Sequence, residues 1–237
     1  VYGILGLINF AHGEVVMIGA MVTISVLSWL LGMHLPLSPV LLIAFSLLLA
    51  IPVCALLGMG IERFAYRPLR GAPRLAPLIT AIGVSIVLQN VAMMIWGRQY
   101  IPFPAILPSE PIQLGSATFM PVQGVIVLLS AVLMGALLLL VHRTKLGRAM
   151  RAAAQSPSVA RLMGVSVDRV VASAFVIGSI LAAVAGVMVS ANYGQAHAYM
   201  GFMLGLKAFS AAVLGGIGNL AGAVVGGLLL GIIESLG

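Results

Sequence analysis

Five long apolar segments without a charged side chain limit what this chain can fold into. Each is close in length to the about 20 residues that an α-helix needs to cross a bilayer, and they are Val15–Met33, Leu35–Ile61, Leu75–Gly97, Pro121–Val141 and Val170–Ser190. Only 7% of the 237 residues are charged, against about a quarter in a soluble domain. We therefore predict an all-α fold, a polytopic transmembrane helical bundle that forms a single domain over residues 1–237.

Basic residues are concentrated in two clusters between these segments. Residues 62–74 hold four arginines, and residues 142–169 hold six of the twelve Lys and Arg side chains. Because Lys and Arg accumulate in the cytoplasmic loops of membrane proteins, we predict that both clusters lie in the cytoplasm. Membrane orientation also explains the net charge of +7 without a nucleic-acid partner.

This orientation is strongly favoured by the count of basic residues. It places ten Lys and Arg side chains inside, among them Arg63, Arg67, Arg70 and Arg74, and only Arg98 in the outer connections. Val1 is then predicted to lie near the cytoplasm. The predicted outer connections are 32–39, 98–120 and 191–206.

The second basic cluster contains the signals of a short helix. Ser156 can cap a helix start, Pro157 suits the first helical position, and Gly164 suits the left-handed residue after the end. One apolar face then carries Val159, Leu162 and Met163, while Arg161 points elsewhere. We predict a docking helix that meets a soluble partner. The alternative is a basic loop that only fixes the topology.

Small residues recur every four positions near the end of the chain. One row consists of Gly178, Ala182, Gly186, Ser190 and Gly194, and another consists of Gly218, Gly222 and Gly226. Such rows let membrane helices approach closely, so we predict helix packing there. The alternative is that glycine is simply common in membrane helices. The run LGGIGN at Leu214–Asn219 predicts a broken or re-entrant segment, which must be covered by protein or line a water cavity.

A few polar residues lie in or beside the apolar segments. An ionisable group at membrane depth is a functional candidate, so His12 and Glu14 are candidates for a substrate pathway. The alternative for Glu14 is an interfacial position that favours a helix N-terminus. Gln89 and Asn90 either line a pathway or bond to a neighbouring helix.

Further candidates lie towards the outer side. Asn192 and Tyr193, with His197 and Tyr199, are predicted at the outer mouth, where they meet a ligand or a delivering protein. Lys207 is the only charge between Arg169 and Glu234, and we predict that it occupies an outer or cavity-facing position.

Several kinds of chemistry have no matching residues. The sequence has no G-x-x-x-x-G-K-[ST] phosphate loop, no nucleophile and base arrangement, and no carboxylate relay of the kind a proton-coupled pump needs. The spacing of His12 and Glu14 does not match a zinc site, and the single Cys54 excludes a cysteine-based metal site. We therefore expect no metal, no cofactor and no enzymatic activity in this chain.

Four segments carry a resemblance to a known family. Residues 6–20 (GLINFAHGEVVMIGA), 78–90 (LITAIGVSIVLQN), 147–178 and 201–234 resemble the branched-chain amino acid ABC transporter permeases, of the type whose opening reads LINFAHGE. The resemblance covers essentially the whole chain. It implies a bacterial or archaeal plasma-membrane importer. It also implies one helix before Val1 and at least one after Gly237.

The resemblance implies partners as well. They are a sister permease, two cytoplasmic ATPase subunits that use ATP and Mg²⁺, and a periplasmic or lipid-anchored substrate-binding protein. The helix at 156–164, within a coupling loop at 142–169, would then sit in a groove of an ATPase subunit. The family often has an acidic residue where this chain has Gln155 and Ser156, which predicts a less electrostatic contact.

Other functions remain open at the level of sequence. Permeases for urea and short amides belong to the same superfamily. An ion-coupled secondary transporter would carry substrate without ATPase subunits, and a structural scaffold would carry none.

Overall fold

The computed structural model describes residues 9–69, 72–73, 75–107, 110–114, 117–216 and 218–236. The predicted cytoplasmic position of Val1 and the start of the first family motif lie outside the described residues. The same holds for Arg70 and Arg74 of the first basic cluster and for Ile217 in the glycine-rich run.

Five helices of the described chain are long and apolar enough to cross a membrane. They are α1 (Ala11–Gly32), α2 (Pro39–Gly60), α3 (Leu75–Trp96), α4 (Pro121–Arg143) and α7 (Val167–Tyr193). Each covers most of one of the five uncharged segments, although α2 begins at Pro39, four residues later than predicted. The prediction of a helical membrane bundle is confirmed. A helix satisfies its backbone N–H and C=O groups internally, which is what a segment surrounded by lipid requires.

The helices extend beyond the uncharged segments. α2 continues as a π-helix over Ile61–Tyr66 and a 3-10 helix over Arg67–Leu69, so part of the first basic cluster is helical. α1 and α7 also begin earlier than the apolar segments do. Long basic side chains reach water from a helix end. A charge therefore marks the edge of the lipid and not the end of the helix.

Two shorter helices lie in the second basic cluster. α5 (Lys145–Gln155) begins at Thr144, whose Oγ1 accepts a hydrogen bond from the Gly147 N–H at 3.0 Å. α6 (Pro157–Leu162) begins at Ser156, whose Oγ accepts from the Val159 N–H at 3.4 Å. Gly164 follows α6 with a left-handed φ of 80°. The short helix thus begins and ends where its sequence signals predict.

The prediction of an outer connection over 191–206 is wrong in its second half. α7 ends at Tyr193 because Gly194 is left-handed, with a φ of 68°. After β4 (Gln195–Ala196), α8 (Met200–Leu214) begins, so residues 200–206 are helical. Of the aromatic and polar residues that suggested a long loop, Asn192 and Tyr193 belong to the end of α7, while Gln195, His197 and Tyr199 lie between the two helices.

Short strands join the two connections predicted on the outer side. β1 (Ile101–Pro102) pairs with β4 in antiparallel fashion, and the Phe103 N–H donates to the Gly194 carbonyl at 2.8 Å. β2 (Ile112–Leu114) and β3 (Ala117–Phe119) form an antiparallel hairpin. The connections 98–120 and 191–199 therefore meet at one end of the bundle.

Helix α1 is the centre of the bundle, where it contacts α2, α3, α7 and α8. Met17, Met21 and Leu27 on α1 are fully buried. Glycines allow these close contacts. A Cβ at Gly19 would lie 2.7 Å from the Ala183 Cα, and a Cβ at Gly186 would lie 2.3 Å from the Val16 carbonyl oxygen. At the margin of the bundle, α4 buries none of its residues within the described chain.

The glycine-rich run breaks the last apolar region into a helical hairpin. α8 ends at Leu214 and α9 (Leu220–Leu236) begins after a turn in which Gly216 and Gly218 have φ of 88° and 89°. Such φ values favour glycine, which has no Cβ. The two helices pack against each other, so the predicted break is present in the structure.

The second row of small residues needs one correction. Gly218 lies in the turn before α9 and not on the helix face, because its left-handed φ is incompatible with a helix. Gly222 and Gly226 do pack closely. A Cβ at Gly222 would lie 1.8 Å from the Gly215 carbonyl oxygen, and a Cβ at Gly226 would lie 2.1 Å from the Ala211 carbonyl oxygen. This part of the row therefore packs against the chain's own helix α8.

We expect Gly186→Ala to destabilise the full-length protein. The new Cβ would meet the backbone of α1 at Val16 and Ala20, which cannot move as a side-chain end can. Overpacking of this kind costs about 1–3 kcal/mol, so the melting temperature in detergent should fall. Gly83→Ala is the control because no atom lies within 4 Å of its Cβ. Equal melting temperatures would contradict the close packing of α1 and α7.

Candidate functional site

A buried carboxylate joins α1 to α3. Glu14 is 0% exposed, and its Oε1 accepts hydrogen bonds from Ser85 Oγ at 2.7 Å and from Gln89 Nε2 at 2.8 Å. Its Oε2 has no hydrogen-bond partner within the described residues. Buried polar atoms are normally paired, so an unpaired carboxylate oxygen marks this position as a functional candidate.

Glycines bring a third helix onto the same carboxylate. A Cβ at Gly13 would lie 2.1 Å from the Gly201 carbonyl oxygen, and a Cβ at Gly201 would lie 2.4 Å from Glu14 Oε2. Gly201 is in the first turn of α8, and Glu14 is in the first turn of α1. Two helix starts thus meet at this carboxyl group.

The carboxylate lies far from the ends of its neighbouring helix. Its partners Ser85 and Gln89 come about 15 to 21 Å along α3, at 1.5 Å per residue. Trp96 at the other end of α3 donates from Nε1 to Ser25 Oγ of α1 at 2.7 Å, so the two helices run in the same direction. Glu14, in the first turn of α1, therefore lies beside the middle of the membrane-length helix α3.

The other polar candidates near Glu14 are separated by the structure. Gln89 bonds to Glu14, whereas the exposed Asn90 donates from Nδ2 to the Ile86 carbonyl of its own helix at 2.8 Å. His12 faces α7, where a Cβ at Gly178 would lie 3.4 Å from His12 Cε1. Ser85 was not among the sequence candidates, since a serine in an apolar helix gives no signal of its own.

A buried tyrosine connects the end of the π-helix to the segment before α1. Tyr66 Oη donates to Asn9 Oδ1 at 3.0 Å, and its ring packs against Phe175 with a centroid distance of 5.2 Å. Close by in the chain, Arg67 Nη2 lies 2.8 Å from Asp168 Oδ2 at the start of α7. Sequence reasoning did not single out either contact, because each joins residues that are distant in the chain.

Three of the predicted pathway residues share a second location. Asn192 and Tyr193 of α7 and Lys207 of α8 line one cavity of about 480 Å³ together with Gln123 and Glu234. The Lys207 ammonium is paired with the Glu234 carboxylate of α9. The cavity lies between the α4 and α7 side and the hairpin of α8 and α9, and it does not include Glu14.

The short helix α6 presents apolar side chains to solvent. Leu162 is 85% exposed and Met163 is 79% exposed, and Val159 on the same face is also exposed. Ala160 is buried against the rest of the chain, and Arg161 is exposed. Nothing in the described chain covers this apolar face.

The end of the bundle with the short strands carries aromatic residues. Tyr100 packs against His197 with a centroid distance of 4.8 Å, and Tyr199 Oη lies 3.0 Å from Met93 Sδ. Burial lowers the pKa of His197, so its ring is favoured in the neutral form. No group of three or more His, Cys, Asp or Glu side chains in the described ranges is arranged to hold a metal ion.

We expect the hydrogen bonds to Glu14 to stabilise the bundle. Glu14→Ala removes the acceptor of two buried donors and leaves a cavity, which should cost about 2–4 kcal/mol. Glu14→Gln keeps an oxygen that accepts both bonds and should cost less. The measurement is the melting temperature of the full-length protein in detergent, with Asn90→Ala as a control that leaves contacts between helices intact. Equal losses for all three variants would contradict this role.

Comparison with known proteins places the chain among transport proteins. A family model described as "Branched-chain amino acid transport system / permease component" matches residues 1–237. The high-affinity branched-chain amino acid transport system permease protein LivH of Salmonella typhimurium is 45% identical over 240 residues, which cover 100% of this chain and 78% of that protein. LivH of Escherichia coli K12 is 44% identical over 240 residues, with the same coverage of both chains.

A third relative comes from another genus. The permease protein BraD of Pseudomonas aeruginosa, also of a high-affinity branched-chain amino acid transport system, is 43% identical over 241 residues, covering 100% of this chain and 78% of that protein. No solved structure matches the chain.

Proposed function

Because the chain belongs to the family of permease components of branched-chain amino acid transport systems, we propose that it forms part of the membrane path of an ABC importer for leucine, isoleucine and valine. The observation that carries this proposal is the identity of 43–45% over the whole chain to three permeases named for branched-chain amino acid transport. The five apolar helices supply the membrane domain that such a subunit needs.

The energy for transport comes from partner subunits in this proposal. The chain carries no phosphate-binding loop, so two cytoplasmic ATPase subunits bind and hydrolyse ATP with Mg²⁺. A sister permease completes the membrane path, and a periplasmic or lipid-anchored binding protein delivers the substrate. The permease domain spans residues 1–237, and its loop at 142–169 contacts the ATPase. A chain that supplies the membrane path and leaves ATP hydrolysis to other subunits is what a family of permease components would contain.

The exposed apolar face of α6 is the proposed contact with the ATPase. Both basic clusters, at 62–74 and 142–169, lie in the cytoplasm by the distribution of Lys and Arg, and α6 lies in the second. A groove on an ATPase subunit would remove Leu162 and Met163 from water, which is favourable for apolar side chains. The binding protein then docks at the opposite end, where β1 and β4 pair.

Movement of α6 can reach the membrane helices through packed contacts. α6 leads into α7, and α7 is joined to the end of α2 by the Arg67 and Asp168 pair. From there Tyr66 bonds to Asn9, directly before α1. We propose that ATP-driven closure shifts α1 through these contacts and opens the path between an outward-facing and an inward-facing cavity. Glu14 holds α1 to α3 in the state described here.

The decisive experiment is ATP-dependent uptake into proteoliposomes. The full-length protein is reconstituted with its sister permease, ATPase and binding protein, and labelled leucine and labelled urea are supplied separately. We expect uptake of leucine that requires ATP. Uptake of urea in place of leucine would overturn the substrate and keep the importer, and uptake driven by an ion gradient without ATPase subunits would overturn the importer.

We expect Leu162→Asp to abolish leucine uptake while the complex still hydrolyses ATP. A charge at the centre of the apolar face would be buried without a partner in the ATPase groove. Ala152→Asp is the matched control, because it adds the same charge at an exposed position of α5 in the same loop, outside that face. Unchanged uptake by the Leu162→Asp variant would contradict the assignment of α6 as the coupling contact.

A further inference from the structure

Two opposite charges face each other across the helical hairpin in an otherwise apolar region. Lys207 is the only charged residue of α8, and Glu234 is the only charged residue of α9. Their ammonium and carboxylate groups are paired, and the two side chains are 40% and 54% exposed. Charges within apolar membrane segments are costly unless they are paired or face a water-filled cavity. These two are paired and also remain accessible.

The accessible side of the pair is a cavity of suitable size for a small ligand. Its volume of about 480 Å³ falls within the range of about 300–1,000 Å³ that is usual for ligand sites. Apolar side chains such as Ile126, Met188 and Leu230 make up much of its wall, and the amide of Asn192 lies on the α7 side. The cavity thus combines an apolar lining with a few polar groups.

This combination matches the chemistry of one class of ligand. An α-amino acid zwitterion carries a carboxylate and an ammonium group on one carbon atom. If the ligand enters beside the pair, its carboxylate can meet Lys207 and its ammonium can meet Glu234, so that no charge is left unpaired. A branched aliphatic side chain would then lie against the apolar wall.

We propose that Lys207 and Glu234 form a binding site for amino acid zwitterions inside the permease itself. This inference rests on the proposed function, and it adds the residues that recognise the substrate after the binding protein has released it. Neutral molecules such as urea offer no charge to either residue. Molecules that carry only one of the two charges leave one side chain of the site without its ligand partner.

The site can be tested directly by protection from labelling. Gly231 lines the cavity, and a Cβ there has no atom within 4 Å, so Gly231→Cys fits without strain and can be labelled with a maleimide. The assay uses the full-length protein in its complex with the sister permease and ATPase, without the binding protein. Gly32→Cys is the control, since it is equally open but does not line the cavity. The single natural cysteine, Cys54, is buried.

We expect leucine to slow labelling of the Gly231→Cys variant at least fivefold and to leave the Gly32→Cys variant unchanged. Leucinol, which keeps the ammonium, and 4-methylpentanoate, which keeps the carboxylate, should protect much less. Protection should be lost when Lys207→Gln or Glu234→Gln is added. Equal protection by all three compounds, or no protection by leucine in a complex that imports leucine, would overturn the site.

A second measurement separates ligand binding from a purely structural ion pair. Lys207→Glu combined with Glu234→Lys keeps a pair between α8 and α9 but exchanges the positions of the two charges. We expect leucine uptake to stay at least tenfold below that of the parent complex while the melting temperature recovers relative to the single variants. Recovery of both uptake and melting temperature would overturn the site. Absence of leucine uptake by the parent complex would instead reject the proposed function, which keeps the two failures distinct.

Discussion

Contact between helix backbones at glycine is the constraint on which the bundle depends. Helices in lipid gain little from the hydrophobic effect, so they associate through close van der Waals packing and hydrogen bonds. α1 reaches α7 at Gly19 and Gly186, and it reaches α8 at Gly13 and Gly201. A side chain at any of these positions would separate the helices. The position of α1 among its neighbours, and hence of Glu14, follows from these contacts.

The same contacts explain how a carboxylate is accommodated within the bundle. The close approach of α8 to α1 excludes water from Glu14, so its hydrogen bonds must come from protein groups. Ser85 and Gln89, one turn apart on α3, provide them. The cavity with Lys207 and Glu234 is different, because its charges are paired and accessible. Within the described residues, Glu14 thus belongs to a closed polar contact between helices, whereas Lys207 and Glu234 line an open cavity.

Features that depend on neighbouring residues could be predicted from the sequence. The five membrane helices follow from uncharged segments, and the start and end of α6 follow from Ser156, Pro157 and Gly164. The break after Leu214 follows from a run of glycines. Residues 200–206 were wrongly predicted to be a connection, because composition is a poor guide to helix ends. Gly218 was wrongly placed in a row on a helix face, because the four-residue spacing continues through a turn.

The candidate site could be predicted only in part. The sequence indicated Glu14, Gln89 and Lys207 as unusual residues in apolar surroundings, but it indicated no partner for any of them. It treated Gln89 and Asn90 alike, whereas only Gln89 faces α1. Ser85, Tyr66 and Glu234 were not recognised as members of polar contacts, because each has a role only through a residue on another element.

The sequence by itself determined the class of this protein, the places of the five long apolar helices that the structure describes and the form of its exposed helix α6. Hydropathy, charge and capping act over one segment or a few residues, so they can be read locally. Only the tertiary structure decided that Glu14 meets Ser85, which is 71 residues away, and that Lys207 meets Glu234, which is 27 residues away. Such pairs depend on how each helix is rotated and where it crosses its neighbours, and these are set by packing between distant segments.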